Sequence, residues 1–196
     1  MSEPRPSADF LELASTPRRG LQDHMHRGEL PDPARFGGRE HRGLNTAPWM
    51  RVAGVDRFVK GFHEGRGYNR RVPRGRRTDP WLPVQGEDPP SFAPFTVDPV
   101  DPEARHNRYL HALLLDYGAL AQSLDPAGRI RDYLVGVRGT DLLLGHAFVA
   151  IGRRELHATF FVLEPFRPYP LDPLSPDAGA RRTGPRRRTG GPRAPG

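Results

Sequence analysis

The chain contains no cysteine, which excludes disulfides, thiolate zinc sites and cysteine nucleophiles together. Lysine is almost as scarce: Lys60 stands alone beside 29 arginines. No apolar run approaches the roughly 20 residues that a membrane-spanning helix needs, and Met1-Ser2-Glu3-Pro4-Arg5-Pro6 lacks the apolar segment of a secretion signal. The expectation is a cytoplasmic protein with no transmembrane segment. A Gly-x-Ser-x-Gly elbow, a phosphate-binding Walker loop and a dinucleotide fingerprint are all missing. No catalytic residue, metal ligand or cofactor is therefore assigned, and the chain reads less as an enzyme than as a binding or interaction protein.

Proline and glycine are plentiful, with 23 and 22 of the 196 residues. That composition borders on low complexity, so the folded part is expected to be shorter than the chain. The net charge of +7 is concentrated at one end: Arg181, Arg182, Arg186, Arg187, Arg188 and Arg193 lie between Ala178 and Gly196 with no acidic residue, and without those six arginines the remainder carries +1. A second basic cluster comprises Arg66, Arg70, Arg71, Arg74, Arg76 and Arg77. The two clusters are the candidate surface for nucleic acid or another polyanion. The competing reading of the tail is a solvated appendage, because a Gly/Pro/Arg mixture buries too little apolar surface to offset its ordering entropy.

Three organisational zones follow. Residues 1–35 read as an N-terminal strap with short helical turns, for which Ser7 or Asp9 is a cap and Pro17 a stop. Residues 36–165 read as one antiparallel β domain interrupted by a Pro-rich loop at 73–102, and 166–196 as a disordered basic tail. Within the β domain, Glu40 to Leu44, Arg57 to Phe62, Gly67 to Val72 and Phe92 to Val97 are candidate strands, with a helical or irregular insert at Ala47 to Val52. On the second strand Phe58, Lys60 and Phe62 share a face.

The densest β signal comes last. Arg131 to Val135, Asp141 to Gly145 and Phe160 to Glu164 are rich in β-branched residues, leucine and aromatics, and are separated by turn glycines. The segment 107–124 fits both a helical stripe and a strand; a strand from Leu110 to Tyr117 is preferred because Gly118 interrupts the stripe. Both faces of the strand around Phe160-Phe161 are apolar, so it must be covered on both sides, by the N-terminal helices or by a partner subunit. Gly145 marks a bend or a close backbone approach.

Gly37-Gly38-Arg39-Glu40-His41-Arg42-Gly43, Lys60-Gly61-Phe62, Leu113 to Tyr117, Arg131-Asp132, Leu143-Leu144-Gly145 and Phe161 to Glu164 together resemble small bacterial lipocalin-like (calycin-type) β-barrel proteins over roughly residues 36 to 164. The Gly-rich opening is also similar to that of the GXWXG family, except that His41 stands where that motif has tryptophan and Gly38 is one place out of register, so the tryptophan of the barrel floor is either missing or replaced by Trp49 or Trp81. The resemblance implies an antiparallel up-and-down barrel whose interior is either filled or holds one small ligand.

On that fold Phe62, Leu115, Tyr117, Phe148 and Phe161 are expected to line a cavity of several hundred Å³, with Tyr133 or His146 orienting the head group of a fatty acyl or isoprenoid molecule. The alternatives are polyanion binding through the arginine clusters, and a filled barrel that serves as an interaction module with an exposed apolar patch near Trp49 or Trp81. His146 and His157 are expected to approach each other. His106 and His111 are spaced wrongly for two metal ligands on one helix or strand face, and Asp132 is expected to pair with its neighbour Arg131.

Overall fold

The computed structural model of the chain describes residues 5–82, 91–121, 125–152 and 154–168. Eight strands follow in chain order: β1 (Arg39–Asn45), β2 (Arg57–His63), β3 (Arg66–Arg71), β4 (Phe92–Pro99), β5 (Leu113–Asp116), β6 (Ile130–Gly136), β7 (Leu143–Ile151) and β8 (Arg154–Pro168). Each pairs antiparallel with the next, and β8 returns to β1. The sheet closes on itself as an up-and-down barrel and leaves no open edge. The tight turn between β2 and β3 uses positive φ at both Glu64 and Gly65, as a right-twisted two-residue hairpin requires.

The ambiguous segment is a strand, but a short one. The Ala112 N–H turns back to the Tyr109 carbonyl before β5, and the Asp116 carboxylate accepts from the Gly118 N–H after it. β8 in contrast runs through Pro165, past the expected end of regular structure. Pro165 pairs with His41, Arg167 pairs with Glu40, and the register between β1 and β8 shifts there. A bulge tolerates a residue that has no N–H to donate.

Alternation along the strands makes two cores. The inner one packs Phe58, Phe62, Phe95, Leu115, Tyr117, Phe161 and their neighbours, with Phe36 of α3 (Pro33–Phe36) closing the end at which β1 begins. The outer one lies between the barrel wall and the N-terminal strap. Helices α1 (Ala8–Ser15) and α2 (Arg18–Arg27) bury Phe10, Leu13, Leu21 and Met25 against Leu144, Phe148, Phe160 and Val162. Ser7 caps α1 by accepting from the Phe10 N–H at 3.1 Å, and the Glu164 carboxylate accepts from the Ser7 N–H. The strap is therefore a core element, and it supplies the second cover that the two-sided Phe160-Phe161 strand needs.

Trp81 joins this outer core. It is fully buried, its indole N–H donates to the Gly43 carbonyl, and the Arg57 guanidinium lies 4.2 Å over its ring. Neither tryptophan stands inside the barrel: Trp49, on α4 (Pro48–Val52), is 53% exposed. Among the described residues no helix is long and apolar enough to cross a membrane.

Candidate functional site

The inner face of β2 carries Phe58, Lys60 and Phe62, so strand alternation sends the only lysine into the barrel. The Lys60 side chain is 2% exposed. Its Nζ donates to the Tyr117 Oη at 2.5 Å and to Asp132 Oδ2 at 3.1 Å, and Tyr117 Oη–H donates to the same carboxylate oxygen at 2.9 Å. The Asn69 Nδ2 reaches Tyr117 Oη at 3.5 Å and donates to the Ala93 carbonyl at 3.1 Å. Ala93 holds φ at 45°, an uncommon conformation for a residue other than glycine, and it lines the same site. The Asp132 Oδ1 is buried and accepts a hydrogen bond from none of the described residues.

Aromatic faces surround the ammonium. The ring centroids of Phe95, Tyr117, Phe161 and Phe58 lie 4.5, 5.1, 5.1 and 5.7 Å from Nζ, within reach of cation–π attraction. Three of these rings rest on glycines directly across the ladder: Phe58 on Gly43, Phe95 on Gly67 and Phe161 on Gly145. A Cβ on any of the three glycines would collide with the ring. The missing side chains let the rings lie against the wall, which leaves space in the middle.

That space is a cavity of about 200 Å³ at the end of the barrel where β1 finishes and β2 begins. Lys60, Asp132 and Tyr117 stand on it together with Phe58, Phe161, Ala147 and Thr159, and Met50, Val55 and Phe92 form its rim. Trp49, Val52, Val55 and Phe92 leave apolar surface exposed on the mouth loops. Burial lowers the Lys60 pKa below the ordinary lysine value, opposed by Asp132, and burial together with the Asp132 charge holds the Tyr117 pKa well above the ordinary phenol value. The lysine is thereby inclined toward free amine and the tyrosine keeps its proton.

Comparison with protein-family models, curated proteins and solved structures returns no match. Function is therefore read from the site alone.

Of the residues expected to line the pocket, Phe62, Leu115, Tyr117 and Phe161 belong to the inner core, and Tyr117 and Phe161 border the cavity. Leu115 lies within the packed part. Tyr133, His146 and Phe148 stand on the opposite face of the wall, in the outer core, because neighbours on a strand alternate and these three share the outward parity. There the Tyr109 hydroxyl and His146 Nδ1 are 2.8 Å apart, His146 Nε2 and His157 Nδ1 are 2.8 Å apart, and the Tyr133 hydroxyl donates to Glu155 at 2.8 Å. The two histidines do approach, on the outside. Burial, reinforced by His157 and Arg108, lowers the His146 pKa to about 3.

The same parity corrects the expected partner of Asp132. Arg131 points outward to Asp116 at 3.0 Å, whereas Asp132 points inward to Lys60. His106 pairs with Glu155, and the His111 Nε2 lies 2.8 Å from the Met25 carbonyl. No cluster of three or more potential metal ligands occurs among the described residues.

The arginine cluster is dispersed. Arg70 pairs with buried Glu40, Arg71 lies over the Phe92 ring, and Arg74 donates to the Val52 carbonyl. Arg66 is at the far end of β3, the Arg76 N–H is bonded to Asp79, and Arg77 borders an open groove beside α1 and α2. Arg181, Arg182, Arg186, Arg187 and Arg188 lie outside the described residues.

Proposed function

We propose that the barrel binds one small, largely apolar molecule at its mouth, with a polar head group against Lys60, Tyr117 and Asp132. The observation that carries this reading is a buried ion pair bordering a void while one oxygen of its carboxylate has no donor among the described residues. Burying charges is costly, and a structural pair normally satisfies every oxygen. A guest that brings a donor to Asp132 Oδ1 completes the set, and the aromatic walls receive its apolar body.

The volume bounds the guest. At roughly 30 Å³ per water, the cavity holds the equivalent of about seven waters, or a ligand of about eight to ten non-hydrogen atoms. A short isoprenoid or a single ring fits, while a long acyl chain would have to extend past Met50 and Phe92 into the mouth. The closed antiparallel barrel and its apolar inner core support kinship with lipocalin-like (calycin-type) proteins, and that kinship is part of the proposal.

The test is calorimetric titration with benzyl alcohol, cyclohexanol and 1-hexanol, on the parent protein and on Ala147→Phe, which places a ring in the cavity. Saturable one-to-one binding that disappears in the folded variant supports the reading. Absence of binding for all three compounds to the parent protein contradicts it.

A further inference from the structure

We propose that Lys60 captures a carbonyl compound: its amine condenses with a small aldehyde or ketone seated in the mouth cavity to give a protonated imine, with Tyr117 and Asp132 handling the protons. This rests on the reading that the cavity takes a small ligand, and it adds the class of head group and the chemistry performed on it.

The first observation is the residue type. Arginine supplies every other basic side chain of this protein apart from its histidines, yet the one cationic side chain facing the cavity is a lysine. Both residues offer a positive charge, but only lysine becomes a nucleophile, because a guanidinium keeps its proton in proteins. The second observation is geometry. Lys60 Nζ, Tyr117 Oη and Asp132 Oδ2 form a closed triangle with sides of 2.5, 3.1 and 2.9 Å. A proton can therefore pass between any two of the three groups without solvent.

The third observation is the surroundings of the amine. Burial inclines Lys60 toward the free base, which is the way desolvated lysines become nucleophilic. The rings of Phe95 and Phe161 present their faces to Nζ, and they stabilise a cation there whether it is an ammonium or an iminium. The spare Asp132 Oδ1 offers an acceptor for the hydroxyl of the addition intermediate.

The step balances without oxidant or reductant. The Lys60 ammonium passes one proton to Asp132 Oδ2. The free Nζ attacks the carbonyl carbon, forming the C–N bond, and one nitrogen proton moves to the former carbonyl oxygen through the Tyr117 hydroxyl. The protonated Asp132 then gives its proton to the hydroxyl of this carbinolamine, the C–O bond breaks, and water leaves. The nitrogen lone pair closes the C=N bond. Ammonium and carbonyl have become a protonated imine and water, and Asp132 is again a carboxylate facing the positive charge.

The experiment treats the full chain with benzaldehyde and sodium cyanoborohydride, which reduces an imine to a stable secondary amine, followed by intact mass measurement and peptide mapping. Lys60 and the amino terminus are the only primary amines of the chain, so mapping locates any adduct without ambiguity. One benzyl group is expected on the peptide containing Lys60, formed faster than on Nα-acetyl-lysine at the same pH, since the cavity brings the aldehyde to the amine and burial leaves more of it as free base. Benzyl alcohol should slow the labelling, and Tyr117→Phe should slow it while leaving the amine in place.

Labelling confined to the amino terminus, or labelling of Lys60 no faster than of the free amino acid, overturns the proposal. If Lys60 stays unlabelled while benzyl alcohol still binds one-to-one by calorimetry, carbonyl capture alone falls. If neither occurs, the binding reading falls with it.

Discussion

Asp132 and Tyr133 are adjacent on β6, yet they belong to two polar clusters placed back to back across the barrel wall. The outer cluster, with Tyr133, Tyr109, His146, His157, His106, Arg108 and Glu155, pairs each of its buried side-chain polar atoms within the described residues. The inner one, with Lys60, Tyr117, Asn69 and Asp132, offers Asp132 Oδ1 no donor among the described residues and borders a void. Both lie among aromatic rings. What separates them is satisfaction: a complete network fixes the strap against the wall, whereas an incomplete one beside empty space is suited to a guest.

The largest expected effect comes from breaking the inner pair. Asp132→Ala removes the counter-charge of buried Lys60 and the acceptor of Tyr117, so the lysine must either stay charged and unpaired or give up its proton, and should cost about 3 to 5 kcal/mol in urea denaturation. On the outer side Glu155→Ala should cost less, about 1 to 3 kcal/mol, because His106 and Arg108 are partly exposed and can turn to water. Equal losses would remove the distinction between the clusters.

Acid should act next, and chiefly through neutral histidines. Burial lowers both His41 and His146 to about 3, from 6.5 in the unfolded chain. The unfolded state then binds more protons than the folded one, so stability is complete above pH 6.5 and declines as the pH falls toward 3. Each pH unit of that interval is worth up to about 1.4 kcal/mol per histidine, so the two together lose up to about 3 kcal/mol per unit. The urea midpoint should fall steadily between pH 7 and pH 4, and His146→Gln should flatten that fall.

Overpacking sharpens the comparison within the barrel itself. Leu115→Trp adds volume to the filled part and should cost about 1 to 3 kcal/mol, whereas Ala147→Phe grows into the cavity and should cost clearly less. Thermal denaturation of the two variants ranks them, and the reverse order would place the void elsewhere. Smallest of all should be Tyr133→Phe, which removes one hydrogen bond to Glu155 and should cost about 1 kcal/mol.

Much of the barrel was legible in the sequence. The strands were indicated by β-rich runs and turn glycines, although Asp141 to Gly145 caught only the first three residues of β7 and Leu110 to Tyr117 began before β5. The need for a second cover over Phe160-Phe161 left the strap and a partner subunit as candidates, of which the strap provides it, and a Cβ at Gly145 is obstructed because the Phe161 ring occupies its place. The site was harder to read, for a physical reason. Lys60 meets Tyr117 and Asp132 across 57 and 72 residues of chain, and alternation reveals which residues share a face without saying which face is inside.

That missing reference placed Tyr133, His146 and Phe148 in the pocket, whereas joining Asp132 to Arg131 overlooked that neighbours on one strand point to opposite faces. One clue was available. A lone lysine alternating with Phe58 and Phe62 on an apolar face is an expensive arrangement, and its expense marks the inner cluster.

The same lysine permits the most direct test of the claim that the cavity beside it receives a guest. Protein labelled with 13C at lysine Cε gives a single side-chain resonance, that of Lys60. Titration with benzyl alcohol should displace this resonance saturably in the parent protein and leave it unmoved in Ala147→Phe. A resonance that stays fixed in the folded parent at high alcohol concentration would contradict the account.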